Sequence, residues 1–133
     1  MVASVEQHYG NDGIVERIVG ALTQSGFDME NLDPDVLAGA DEFHIGGREG
    51  TMHVASAINL GDGDDLLDVG CGIGGAARFL AHTTGASVTG VDLTPEFIEA
   101  AIKLSDLVGM GGHVDFKVGS ATDLPFMDNM FDA

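Results

Sequence analysis

The chain has 133 residues, 44% of them hydrophobic, which suits a single packed domain. Twenty-two acids against five bases leave a net charge of −17, which would repel a phosphate backbone, so nucleic acid is not an expected partner. No apolar run is long enough to span a bilayer, and the single cysteine, Cys71, excludes a disulfide framework or zinc set within this chain and makes the cytoplasm the default compartment.

The N-terminus, Met1 to His8, has no basic start and no apolar run and is not read as a signal peptide. Ile14, Val15, Ile18, Val19, Ala21 and Leu22 recur at helical spacing, with Gly26 as a stop. Asp33-Pro34 opens a short helix to about Gly39, with proline in its first turn. A loop over residues 41–47 leads to a helix from Arg48 to Leu60, with Met52, Ala55 and Ile58 on one stripe. The first 60 residues therefore read as a helical cap, and residues 61–133 as a second region of different pattern. That region alternates: a strand at Asp65–Val69, a helix from Gly74 to His82, a strand from Ser87 to Val91, a helix to Val108 and a strand at Val114–Val118. Thr94 is the expected N-cap of the second of these helices, with Pro95 and Glu96 in its first turn. Alternating strands and helices predict a doubly wound α/β sheet.

The chemistry concentrates in Leu66-Leu67-Asp68-Val69-Gly70-Cys71-Gly72-Ile73-Gly74-Gly75. A strand ends in an acid and breaks into a glycine turn. The next strand ends in Asp92, 24 residues after Asp68. The glycines allow a tight turn and a close approach of backbone to ligand, and the amides at the following helix N-terminus favour an anionic group. Asp92 can accept hydrogen bonds from two ribose hydroxyls. The spacing Gly70-x-Gly72-x-x-Gly75 also fits a dinucleotide fingerprint. Asp68 argues against that reading, since a carboxylate about 5 Å from a pyrophosphate charge at an effective dielectric near 20 is repelled by roughly 3 kcal/mol. S-adenosylmethionine carries a sulfonium and an ammonium against one carboxylate, so an acidic pocket attracts it.

Asp68 to Gly75 resembles the first motif of class I S-adenosylmethionine-dependent methyltransferases of the small-molecule type, and Val88 to Asp92 resembles their second. Gly119 to Phe126 is similar to the segment that lines the adenine, and Asn129-Met130-Phe131-Asp132 to the entry of their fourth strand. The resemblance implies a Rossmann-like parallel sheet, the 3-2-1 half of such an enzyme, preceded by an N-terminal helical segment. It further implies that Asp68 holds the methionine ammonium, through backbone or water. Gly70 and Gly72 would admit the methionyl part, with Cys71 a small filler beside it. Asp92 would bind the ribose, Leu93 cover an adenine face, and Ala121 offer its backbone to the adenine edge. Ser120 stands where many relatives carry an acid facing the adenine amino group; Asp123 is a possible substitute or a surface residue. The product would be S-adenosylhomocysteine.

His8-Tyr9 and the loop Phe43-His44-Ile45-Gly46-Gly47-Arg48 resemble segments that approach the methionine end of the cofactor in relatives acting on sarcosine, sterols, tocopherols and fatty-acyl chains. Tyr9, His8 and His44 are the catalytic candidates, without an assigned base, and Arg48 either pairs with an anionic ligand group or lies on a helix surface. His53 and His82 are expected near the surface and most methionines in the core. The chain stops where a fourth strand should begin, so the acceptor half of the fold would be missing and the first strand would be an open apolar edge, prone to pairing with a second copy. The expected activity is methyl transfer to a small molecule such as an amine, a ring carbon or a lipid-like compound, by an N-terminal fragment that is itself weakly active or inactive. A non-catalytic cofactor-binding module and a nicotinamide-linked oxidoreductase fragment are the alternatives.

Overall fold

The structure is a computed structural model that describes residues 13–38 and 47–133. In chain order the elements are α1 (Ile14–Gln24), a 3-10 turn (Pro34–Leu37), α2 (Gly47–Ile58), β1 (Asp65–Val69), α3 (Gly75–Thr84), β2 (Ser87–Asp92), α4 (Pro95–Leu107) and β3 (Val114–Val118). These match the expected series, with the ends of the helices moved by one to three residues. Asp33 caps the 3-10 turn through its side chain, which accepts from the Asp35 amide. Thr94 occupies the N-cap of α4 but makes no side-chain capping bond there. Its own amide instead donates to Asp92.

The strands form one parallel sheet in the order β1-β2-β3. Both crossovers step in the same direction, and a right-handed crossover taken twice in one direction puts both helices on the same face. Leu66, Val88 and Val114 are aligned across the three strands by register and share that face. They meet Ile73, Ala77, Leu80 and Ala81 around α3 and Ala100 and Leu104 of α4 in one buried cluster. Leu22 of α1 and Leu37 of the 3-10 turn join the same cluster, so the helical segment closes the outer side of this layer. α1 packs on α4, while α2 and the 3-10 turn pack on α3.

Residues 119–133 return across the sheet. Gly119 donates to the Asp92 carbonyl at 3.0 Å, and Pro125 packs near Val91 on the face away from the helices. Phe126 and Phe131 meet edge-on, centroids 5.1 Å apart. At the far edge of β1, Leu67 donates to Ala133 at 3.0 Å and Ala133 to Asp65 at 3.4 Å, the slanted pattern of a parallel pair. The expected open edge of β1 is therefore taken over part of its length by Asp132 and Ala133. The order of the chain across the sheet consequently reverses at β1, and the turn after β1 lies at that reversal. Ligands of open α/β sheets bind at such a point, outside the carboxyl ends of the strands.

The methionines differ from expectation. Met110 is buried, but Met52, Met127 and Met130 are exposed, Met127 by 79%. Met127 and Met130 follow β3 on a segment that crosses an otherwise thinly covered sheet face, where there is no second helical layer among the described residues to bury them.

Candidate cofactor site

The turn after β1 is built from three glycines in the left-handed region, Gly70 (φ +77), Gly72 (φ +54) and Gly74 (φ +86). A side chain there would be strained, because a Cβ crowds the following carbonyl. Their surroundings divide them. Among the described residues, a Cβ built on Gly70 or Gly72 meets nothing within 4 Å, so no described atom covers the backbone at either. A Cβ on Gly74 would lie 2.7 Å from Phe116 Cζ and 2.9 Å from Arg78 Nη1. The first two glycines leave a cradle open; the third lets the core close beneath it.

Hydrogen bonds tie the turn to the tip of β2. The Gly70 and Cys71 amides both donate to the Val91 carbonyl, at 2.8 and 3.0 Å. Asp92 then grips both sides of the crevice: Oδ2 accepts from the Gly72 amide and Oδ1 from the Thr94 amide, each at 3.0 Å. Each carboxylate oxygen retains lone-pair capacity for a further donor. Asp68 lies at the carboxyl end of β1, beside Gly90 in the register, with its Oδ2 shielded from solvent. Gly90 is there because a Cβ would come within 2.8 Å of Cys71 and 2.7 Å of Phe116.

Cys71 is 8% exposed. Burial first, then the negative charges of Asp68 and Asp92, push its thiol up to about 12, while the Arg78 cation pulls the other way. A buried thiol that stays protonated near neutral pH is a poor nucleophile.

The remaining candidates are placed as follows. Leu93 directly follows Asp92 and is 70% exposed. Ser120 is half-buried, its hydroxyl 2.9 Å from Thr122 Oγ1 and accepting from the Thr122 amide, and it bridges to Asp123 in a tight turn. Ala121 and Asp123 are exposed there. Tyr9, His8 and His44 lie outside the described residues. Arg48 is bound to Asp35 at 2.7 Å and stacks over the Phe79 ring at 4.4 Å, clamping α2 to the 3-10 turn and α3. His53 and His82 are exposed, as expected.

An open cleft of about 560 Å³ lies apart from this crevice, between Leu67 and residues 121–131. It includes Ala121 but none of Asp68, Gly70, Gly72 or Asp92. A groove walled by one segment carries less chemical meaning than the strand-tip carboxylate of Asp92, which is held against the uncovered glycine backbone of the turn.

The sequence reading missed Arg78, Gly90 and Phe116, which shape the turn from beneath. For Arg78 a signal exists: it is a lone cation on the apolar stripe that Ala77, Leu80 and Ala81 define. Gly90 and Phe116 are legible only once the register sets them side by side.

Residues 66–133 match the family described as a methyltransferase domain. The chain is 40% identical over 81 residues to a sterol 24-C-methyltransferase of Gibberella zeae, covering 61% of this chain and 21% of that protein. It is 39% identical over 87 residues to a phosphoethanolamine N-methyltransferase of Zea mays, covering 65% and 17%. Among solved structures, a Haemonchus contortus phosphoethanolamine N-methyltransferase in complex with S-adenosyl-L-methionine superposes with a TM-score of 0.64 at 28% identity, covering 73% of this chain and 23% of that one. The chain thus spans about a fifth of the length of these relatives.

Proposed function

Because the chain belongs to the methyltransferase domain family, we propose that it is the cofactor-binding part of an S-adenosylmethionine-dependent methyltransferase acting on a small molecule. The observation that carries the reading is the grip of Asp92 on the Gly72 amide at 3.0 Å, at the mouth of a turn whose Gly70 and Gly72 are open to a ligand. The residues fit the cofactor. Asp92 is oriented by two amides and can accept both ribose hydroxyls. The bare backbone at Gly70 and Gly72 admits the methionyl chain. Asp68 supplies negative charge for its ammonium, and Leu93 an apolar surface for the adenine, with Ala121 and Ser120 at the adenine edge. Bound there, the cofactor supplies an activated methyl on a good leaving group.

The work of this chain is then positional. Two rigid strand tips fix the ribose and the methionyl chain relative to each other, and holding donor and acceptor in line supplies much of a displacement rate. The negative field at the turn favours a cationic ligand and opposes a diphosphate, which separates this reading from a nicotinamide-linked one. The acceptor class follows the relatives, whose names include sterol, phosphoethanolamine and tocopherol methyltransferases. His8, Tyr9 and His44 remain the candidates for contact with the reacting groups. We place the protein in the cytoplasm; no helix among the described residues is long and apolar enough to cross a membrane. Pairing of two copies through β1 would have to displace Asp132 and Ala133 or use the strand beyond Leu67.

Calorimetric titration with S-adenosylhomocysteine and, separately, NAD tests the proposal. Binding of the first and not the second is expected, with Asp92→Ala weakening it at least tenfold. Binding of NAD alone would overturn the reading. Assays over amine, phenol and lipid acceptors then distinguish an active transferase from a binding module.

A further inference from the structure

Arg78 is 1% exposed, the largest side chain so deeply buried among the described residues. It cannot reach a ligand. Burying a guanidinium costs several kcal/mol after relaxation, and an apolar side chain of similar volume is often as good or better for stability. What an apolar residue cannot supply is directed donors. Arg78 Nη1 donates to the Ile73 carbonyl at 2.8 Å, inside the glycine turn, and to Ser105 Oγ at 3.2 Å, on α4. Ser105 is itself buried, at 1%.

Together with Asp92 this makes a two-sided clamp. The Gly72 amide is held by a carboxylate from the crevice side, and the carbonyl of the very next residue, Ile73, by a guanidinium from the core side. A turn with glycine at every second position would otherwise sample many conformations, since glycine loses the most freedom on ordering. Gly74 completes the device. Its missing side chain leaves room for the Phe116 ring and for Nη1 directly beneath the turn. The clamp also joins the two crossovers, because Arg78 rides on α3 and Ser105 on α4.

We infer that Arg78 is a positioning residue, which holds the Gly70–Gly74 turn in the one conformation that presents its open backbone and the Gly72–Asp92 contact to the adenosyl ligand. The ligand part rests on the function proposed above. The turn's amides stay at the spacing that Asp92 and the methionyl chain require, and the cost of ordering them is met before a ligand arrives.

Residue-resolved hydrogen exchange on the full chain tests this, with S-adenosylhomocysteine titration beside it. Arg78→Lys keeps the charge but loses the planar fork; Ser105→Ala removes one anchor and is the milder change. Arg78→Lys is expected to lower protection of the Gly70, Cys71 and Gly74 amides at least tenfold, and Ser105→Ala about threefold. The Ser87 and Val88 amides, at the far end of the sheet, should stay within twofold in both. S-adenosylhomocysteine affinity should fall at least tenfold in Arg78→Lys. Unchanged protection in the turn, or an equal loss in turn and sheet, would overturn the inference, as would a loosened turn with undiminished affinity. Failure of the unsubstituted chain to bind S-adenosylhomocysteine would count against the methyltransferase reading instead, and the exchange pattern alone would then decide whether Arg78 orders the turn.

Discussion

Gly70 and Gly74 lie four residues apart in one turn, both with positive φ, yet alanine at each should fail differently. At Gly74 the new methyl carbon would stand 2.7 Å from Phe116 Cζ, 2.9 Å from Phe116 Cε1 and 2.9 Å from Arg78 Nη1. Phe116 is fixed on β3 and Arg78 by its two acceptors, so neither yields cheaply. The left-handed backbone costs about 1–2 kcal/mol for a residue with a Cβ, and overpacking about 1–3 kcal/mol more. Their sum, about 2–5 kcal/mol, at roughly 4 °C per kcal/mol for a chain of this size, predicts a melting temperature lower by about 8–20 °C. At Gly70 no atom of the described residues lies within 4 Å of the new carbon. Only the backbone cost of about 1–2 kcal/mol applies, but the methyl group now occupies the crevice. Thermal unfolding followed by circular dichroism should rank Gly74→Ala well below Gly70→Ala. At a temperature where both are folded, Gly70→Ala should lose at least tenfold in S-adenosylhomocysteine affinity. Equal melting temperatures, or a Gly74→Ala protein as stable as the unsubstituted one, would refute the division of the turn into a cradle and a packing glycine.

Two further outcomes follow from charge. The Cys71 thiol is pushed up to about 12 in the folded protein, against about 8.5 in an unfolded chain. The unfolded state then loses its proton first as pH rises, so this residue's contribution is intact below about pH 8.5 and is lost on the way to about 12. Urea unfolding at several alkaline pH values should show stability falling by up to about 1.4 kcal/mol per pH unit from this group, a slope that Cys71→Ala should reduce; identical slopes would contradict the buried, acid-flanked thiol. The net charge of −17 repels itself, and screening shortens from about 10 Å at 0.1 M salt to about 3 Å at 1 M. The melting temperature should therefore rise by several degrees over that range in sodium chloride, and a flat or falling profile would refute self-repulsion as a significant load on the fold.

Much of this protein is legible in one dimension because its constraints are local. The apolar run ending in Asp68, the glycines after it, and a second run ending in Asp92 each follow from what a buried strand and a tight turn demand of neighbouring residues. The order of elements, the three strands and the identity of both strand-tip acids required no knowledge of packing. Pro34, Pro95 and Gly26 marked helix ends by the same local rules. What the tertiary structure alone decided are relations between residues far apart in the chain. Gly70, Gly72 and Gly74 look alike in sequence, but only the approach of Phe116, 42 residues on from Gly74, makes the last one a packing glycine. Arg78 stands out in sequence as a lone cation on an apolar stripe, but its partners, Ser105 of α4 and the carbonyl of Ile73, are set only by the fold. Arg48 acquires its neighbours, Asp35 and the Phe79 ring, only through the fold. The edge of β1 looked bare until Ala133 came to lie along it. Local pattern sets which element forms; which element it meets depends on sheet register and crossover direction, and those emerge only when distant segments share one core.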